Sequence, residues 1–132
     1  MSVGLFIVSH DNVGDALLSA AITALGSMPI NSRCMAVSPV CKPVDLDRQA
    51  RQIVSELDEG DGVLVLTDIY GSTPGNIACV LLEIPGVAVV SGVNLPMLLR
   101  LFNYPNLSLH ELVNKAISGG REGIMDCQSH QF

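Results

Sequence analysis

The chain has 132 residues, of which 48% are hydrophobic and 15% charged, with a formal net charge of −6. That balance excludes a disordered chain and disfavours nucleic acid or anionic lipid as a partner. The longest apolar runs, such as Val87–Val90 and Leu95–Leu101, are far too short for membrane insertion.

Cys34, Cys41, Cys79 and Cys127 form no CxxC pair and no metal-like cluster with histidine, and no basic segment precedes an apolar one at the start. A single cytoplasmic domain spanning 1–132, with reduced thiols and neither metal nor cofactor, is the expectation. The apolar share is high for so small a chain, so part of the surface is expected to be buried in a homodimer.

In chain order, apolar β-rich runs alternate with helical patterns. Ser2–Val8 is apolar on both faces, as a central parallel strand should be. Asp11 or Asn12 can cap a helix over Val13–Leu25, with Gly26 placed to end it. A second strand over Arg33–Val37 precedes Leu46, Ala50, Ile53 and Leu57, which fall at helical spacing. Gly62–Thr67 is a third strand. Thr73-Pro74 opens the next helix, threonine as cap and proline at the first helical position.

Val87–Ser91 is the fourth strand. After it, Asn94 caps a helix that is apolar almost all round from Leu95 to Phe102 and so is expected to be buried or to pack on a partner. Ser108-Leu109-His110-Glu111 reads as a capping box, and Gly119-Gly120 as the end of the helix it opens. Gly123–Cys127 can form a last short strand before a frayed tail that contains His130.

Four strands alternating with helices predict an α/β fold with a doubly wound, mostly parallel sheet. Ligands in such sheets bind beyond the carboxyl ends of the strands, where strand order reverses. For the order 2-1-3-4 that crevice lies between strands one and three. Strand one runs into Ser9-His10-Asp11, and strand three into Thr67-Asp68-Ile69-Tyr70-Gly71-Ser72-Thr73-Pro74.

The residue types there have a joint chemical use. A neutral imidazole at His10 is a nucleophile, and a carboxylate at Asp68 can fix its tautomer and stabilise the cation that forms on attack. Gly71, Ser72 and Thr73 can turn backbone N–H groups and two hydroxyls towards an anion at a helix N-terminus. Taken singly, each has an ordinary reading: a polar loop histidine, a helix-approach acid, two caps. Together they describe phosphoryl transfer to histidine. Tyr70 either covers that site or packs, and His110 reads as a solvated first-turn residue.

Four segments, in order, are similar to one family. These are the apolar first strand ending in His10; Val65-Leu66-Thr67-Asp68-Ile69-Tyr70-Gly71-Ser72-Thr73-Pro74-Gly75-Asn76; Ser91-Gly92-Val93-Asn94-Leu95-Pro96-Met97-Leu98; and Gly120-Arg121-Glu122-Gly123. They resemble the mannose-type IIA component of the bacterial phosphoenolpyruvate-dependent sugar phosphotransferase system.

The resemblance implies a phosphotransferase in which His10 accepts phosphate from the phosphocarrier protein HPr, interacts with Asp68, and passes the group to a IIB partner. It also implies a homodimer in which a C-terminal strand crosses to the other subunit. Ser72 stands where the family usually has a second glycine, so a positive φ at that position would distort the cradle. The chain ends where some relatives continue into a IIB domain. The acceptor is therefore expected to be a separate IIB protein or, in the alternative, a regulatory target whose binding the phosphorylation state of His10 controls.

Overall fold

The structure, a computed structural model, describes residues 2–129. Its four strands are β1 (Gly4–His10), β2 (Ser32–Val37), β3 (Val63–Thr67) and β4 (Val87–Ser91). They form one parallel sheet in the order β2-β1-β3-β4. The helices are α1 (Val13–Leu25), α2 (Pro43–Leu57), α3 (Thr73–Val80), α4 (Leu95–Phe102) and α5 (Leu109–Glu122). The sheet order is the one the alternating pattern predicts, and the chain changes direction across the sheet between β1 and β3.

Alternation along the strands sorts the apolar side chains to two faces. Leu5, Ile7, Leu64 and Leu66 pack on one side with α1, α4 and α5. Phe6, Val8, Val63 and Val65 pack on the other with α2 and α3. Burying each such side chain contributes about 1.5–3 kcal/mol, so the two central strands anchor both layers. None of the described helices is long and apolar enough to cross a membrane.

Several local expectations change. β1 continues past Val8 to His10, because Ser9 and His10 stay in register with Ala36 and Val37. At α1 neither Asp11 nor Asn12 supplies a side-chain cap; the buried Ser9 hydroxyl does, accepting the Gly14 N–H at 2.8 Å. Gly26 ends that helix in the left-handed conformation, with φ 83°.

Gly119 and Gly120 lie inside α5 instead of ending it. A Cβ at Gly119 would come within 2.5 Å of Arg100 Cβ, and one at Gly120 within 3.0 Å of Met97 Cε. Both glycines serve the close approach of α4 to α5. The capping box at Ser108 and Glu111 forms as expected. α4 is consumed within the chain, since Met97, Leu98, Leu101 and Phe102 are buried against α1 and α5. Of the two expectations for this apolar helix, burial within the chain is the one met.

No strand forms over Gly123–Cys127 within the described chain: residues 124–126 are irregular and Cys127–Ser129 make one 3-10 turn. The outer edge of β4, which pairs only with β3, is left open. His130 lies outside the described residues.

Candidate active site

The crevice beyond β1 and β3 brings His10 and Asp68 together. Val8 stands opposite Thr67, so the last residue of β1 and the first residue after β3 emerge side by side. The ring Nδ1 of His10 lies 2.9 Å from Asp68 Oδ2. The same oxygen accepts the His10 backbone N–H at 3.0 Å, and Oδ1 accepts the Ile69 N–H at 3.1 Å. Three donors thus converge on one carboxylate.

Burial pushes the Asp68 carboxyl upward, but the hydrogen bonds from the His10 backbone and ring outweigh it and hold the group below its ordinary value. The carboxylate is therefore ionised at neutral pH and can only accept, so the proton between the two side chains belongs to His10 Nδ1. In the neutral ring the lone pair then lies on Nε2. The Asp68 side chain is 12% exposed and that of His10 44%, so the carboxylate is covered while the ring faces solvent.

Gly71, Ser72 and Thr73 follow at the start of α3. The left-handed residue of this loop is Gly71, at φ 81°, whereas Ser72 has φ −87° and ψ 171°. Serine at position 72 thus imposes no backbone strain, and the distortion anticipated there does not arise. Ser72 and not Thr73 is the N-cap: its Oγ accepts the Gly75 N–H at 3.2 Å and donates to the Ile69 carbonyl at 2.7 Å. Thr73 and Pro74 occupy the first two helical positions.

The Ser72 hydroxyl is committed to shaping the loop. The groups left for an anion are the backbone N–H groups of residues 71–73 and the Thr73 hydroxyl. Gly75 permits this packing, because a Cβ there would collide with the Ile69 carbonyl oxygen.

Tyr70 does not pack; it is 78% exposed, and Ile69 beside it, Val40 in the segment after β2 and Val44 in the first turn of α2 are exposed apolar side chains too. His110 is exposed in the first turn of α5, away from this end of the sheet. All four cysteines are free, and burial together with the neighbouring Asp15 pushes the Cys34 thiol up to about 12. Among the described residues no three His, Cys, Asp or Glu side chains are grouped to hold a metal ion.

Two features of the site have no clear mark in the sequence. One is the Ser9 cap, made through a side chain five residues before its N–H donor. The other is the left-handed backbone of Asp11, at φ 43°.

Comparison with known proteins agrees with this architecture. Residues 4–117 match the family described as PTS system fructose IIA component. The chain is 30% identical over 127 residues to the PTS system mannose-specific EIIAB component of Escherichia coli, covering 94% of this chain but only 39% of that protein. It is 31% identical over 119 residues to the transcriptional regulatory protein LevR of Bacillus subtilis, covering 83% of this chain and 12% of LevR. The crystal structure of the phosphotransferase system component EIIA from Streptococcus agalactiae superposes with a TM-score of 0.84 at 26% identity, covering 97% of this chain and 99% of that one. With the match spanning both central strands, the His10–Asp68 crevice and most of α5, the chain belongs to the mannose-type IIA family of the sugar phosphotransferase system.

Proposed function

We propose that this chain is a phosphocarrier that accepts a phosphoryl group on His10 Nε2 from phosphorylated HPr and hands it to a IIB-type protein. The observation that carries the reading is the 2.9 Å contact between His10 Nδ1 and Asp68 Oδ2, which leaves Nε2 as the nucleophile. In the forward step the N–P bond of the donor phosphohistidine breaks as the Nε2–P bond forms, and the donor ring keeps the electron pair. The proton on Nδ1 stays in its bond to Asp68, which stabilises the positive charge developing on the ring. The transferring oxygens meet the N–H groups at residues 71–73 and the Thr73 hydroxyl at the N-terminus of α3. Phosphoryl transfer asks little more of a protein than such positioning and electrostatic support.

The exposed apolar side chains of Val40, Val44, Ile69 and Tyr70 favour a protein as donor over a small molecule. The test is incubation with phosphoenolpyruvate, enzyme I and HPr. Acid-labile phosphate is expected on the wild type and absent from His10→Ala. Undiminished label on the mutant defeats the assignment.

A homodimer belongs to the same reading, supported by exposed Ile124, which lines a cavity with Val89, Val90 and Ser91 of the edge strand β4, and by the exposed Met125 that follows it. Sedimentation at micromolar concentration is expected to give a species about twice the 14.0 kDa of the chain, and a purely monomeric profile removes it.

The match to LevR supports a second reading, in which the phosphorylated and free forms differ in binding to a regulatory target. Addition of a IIB protein separates the two: rapid loss of label to IIB supports the carrier, and retention of label supports the regulator.

A further inference from the structure

Asp11 is the one residue other than glycine with positive φ among the described residues, at 43°. It directly follows His10. Its N–H donates to the Val37 carbonyl at 3.0 Å, so the end of β2 holds the turn in this conformation. Aspartate and asparagine tolerate the left-handed region better than most side chains, yet glycine fits it at no cost.

The Asp11 side chain is exposed and makes no hydrogen bond or ion pair among the described residues. Arg33, Arg48, Arg51 and Arg100 are each paired with other acids. Consecutive Cα atoms lie about 3.8 Å apart, which keeps the Asp11 carboxylate within about 10 Å of the His10 ring in any rotamer. A carboxylate is already bound to the ring at Nδ1.

We infer that Asp11 sets the phosphoryl-transfer potential of His10. The inference rests on the reading of His10 as the phosphoryl acceptor. A phosphoryl group adds nearly two negative charges at Nε2. Asp68 offsets its own charge by holding the Nδ1 proton, whereas Asp11 has no donor to share and acts on the phosphorylated state only by repulsion. The phosphorylated form is thereby raised in free energy relative to the free form, and the group leaves for an acceptor more readily. At such separations near a protein surface the repulsion corresponds to about a three- to tenfold change in the equilibrium constant, and salt screens it.

The test uses Asp11→Asn, which keeps side-chain size and left-handed tolerance and removes the charge, beside Asp11→Gly. Each protein is mixed with phosphorylated HPr, and the label is counted on both partners at equilibrium. Asp11→Asn is expected to move the distribution towards the phosphorylated chain by about three- to tenfold at low salt, with the shift shrinking towards none at 1 M salt. Asp11→Gly is expected to follow it.

An unchanged distribution for Asp11→Asn, a shift that salt does not reduce, or a shift confined to Asp11→Gly overturns the inference; the last outcome assigns the effect to backbone strain. Phosphoramidate, which phosphorylates imidazole without a protein donor, provides a second arm. If it labels His10 where HPr does not, the donor assignment fails while a faster labelling of Asp11→Asn still supports the charge effect. Labelling of His10 by neither donor overturns both.

Discussion

Replacing Asp68 by asparagine slows phosphoryl transfer to His10 by at least about tenfold and leaves the fold in place. The His10 N–H, the His10 ring and the Ile69 N–H all point at the two carboxylate oxygens. An amide has one oxygen, so in any orientation its NH₂ faces at least one of those donors. If the amide oxygen stays with the Ile69 N–H, the NH₂ faces both the His10 N–H and Nδ1 and favours the tautomer with its proton on Nε2, which is not nucleophilic. In the opposite orientation Nδ1 keeps its acceptor but the NH₂ opposes the Ile69 N–H. The negative charge that supports the ring cation is lost as well.

A hydrogen bond to a charged group is worth about 1.5–3 kcal/mol, and about 1.4 kcal/mol is a factor of ten in rate. Rapid-quench transfer from phosphorylated HPr measures the effect, and circular dichroism checks the fold. A folded mutant with the wild-type rate would mean that the Asp68 contact does nothing for the chemistry.

Phe6→Ala is expected to cost about 3–5 kcal/mol, a large part of the roughly 5–15 kcal/mol available to a domain of this kind. Phe6 sits in the middle of β1, fully buried, with strands on both sides and α2 and α3 above it. Its neighbours are fixed on the sheet and cannot collapse into the space that a benzyl group leaves. Urea unfolding is expected to show a much lower midpoint with an unchanged slope. Because His10 lies at the end of the strand, four residues from Phe6, the fraction that remains folded is expected to take up phosphate at the wild-type rate. A midpoint within a few tenths of molar of the wild type would show that the layer tolerates the cavity.

The sheet and the pairing of His10 with Asp68 were legible because both follow from coarse signals. Runs such as Val63–Thr67 are apolar on both faces, which only a doubly covered strand accepts, and the switch-point rule then places the two strand ends together. What escaped the sequence depends on the path of the backbone or on contacts between elements. Ser72 and Thr73 are both good caps by type, and only the extended backbone at Ser72 decides between them. Gly119 and Gly120 carry the same letters whether they end a helix or admit Pro96, Met97 and Arg100 to its surface. The apolar α4 gives no sign in its own composition of whether a partner or α1 and α5 will cover it. Asp11 is a residue that ordinarily caps, and its positive φ comes from the bond to Val37, a residue distant in sequence.

The most direct test of the account is to determine which ring nitrogen carries the phosphoryl group. Protein labelled with nitrogen-15 in its histidines is phosphorylated by HPr, and the phosphorus–nitrogen couplings are read by NMR. With Nδ1 held by Asp68 at 2.9 Å, the phosphorus is expected to couple to Nε2 of His10. Coupling to His10 Nδ1, or to a ring nitrogen of His110, would contradict it.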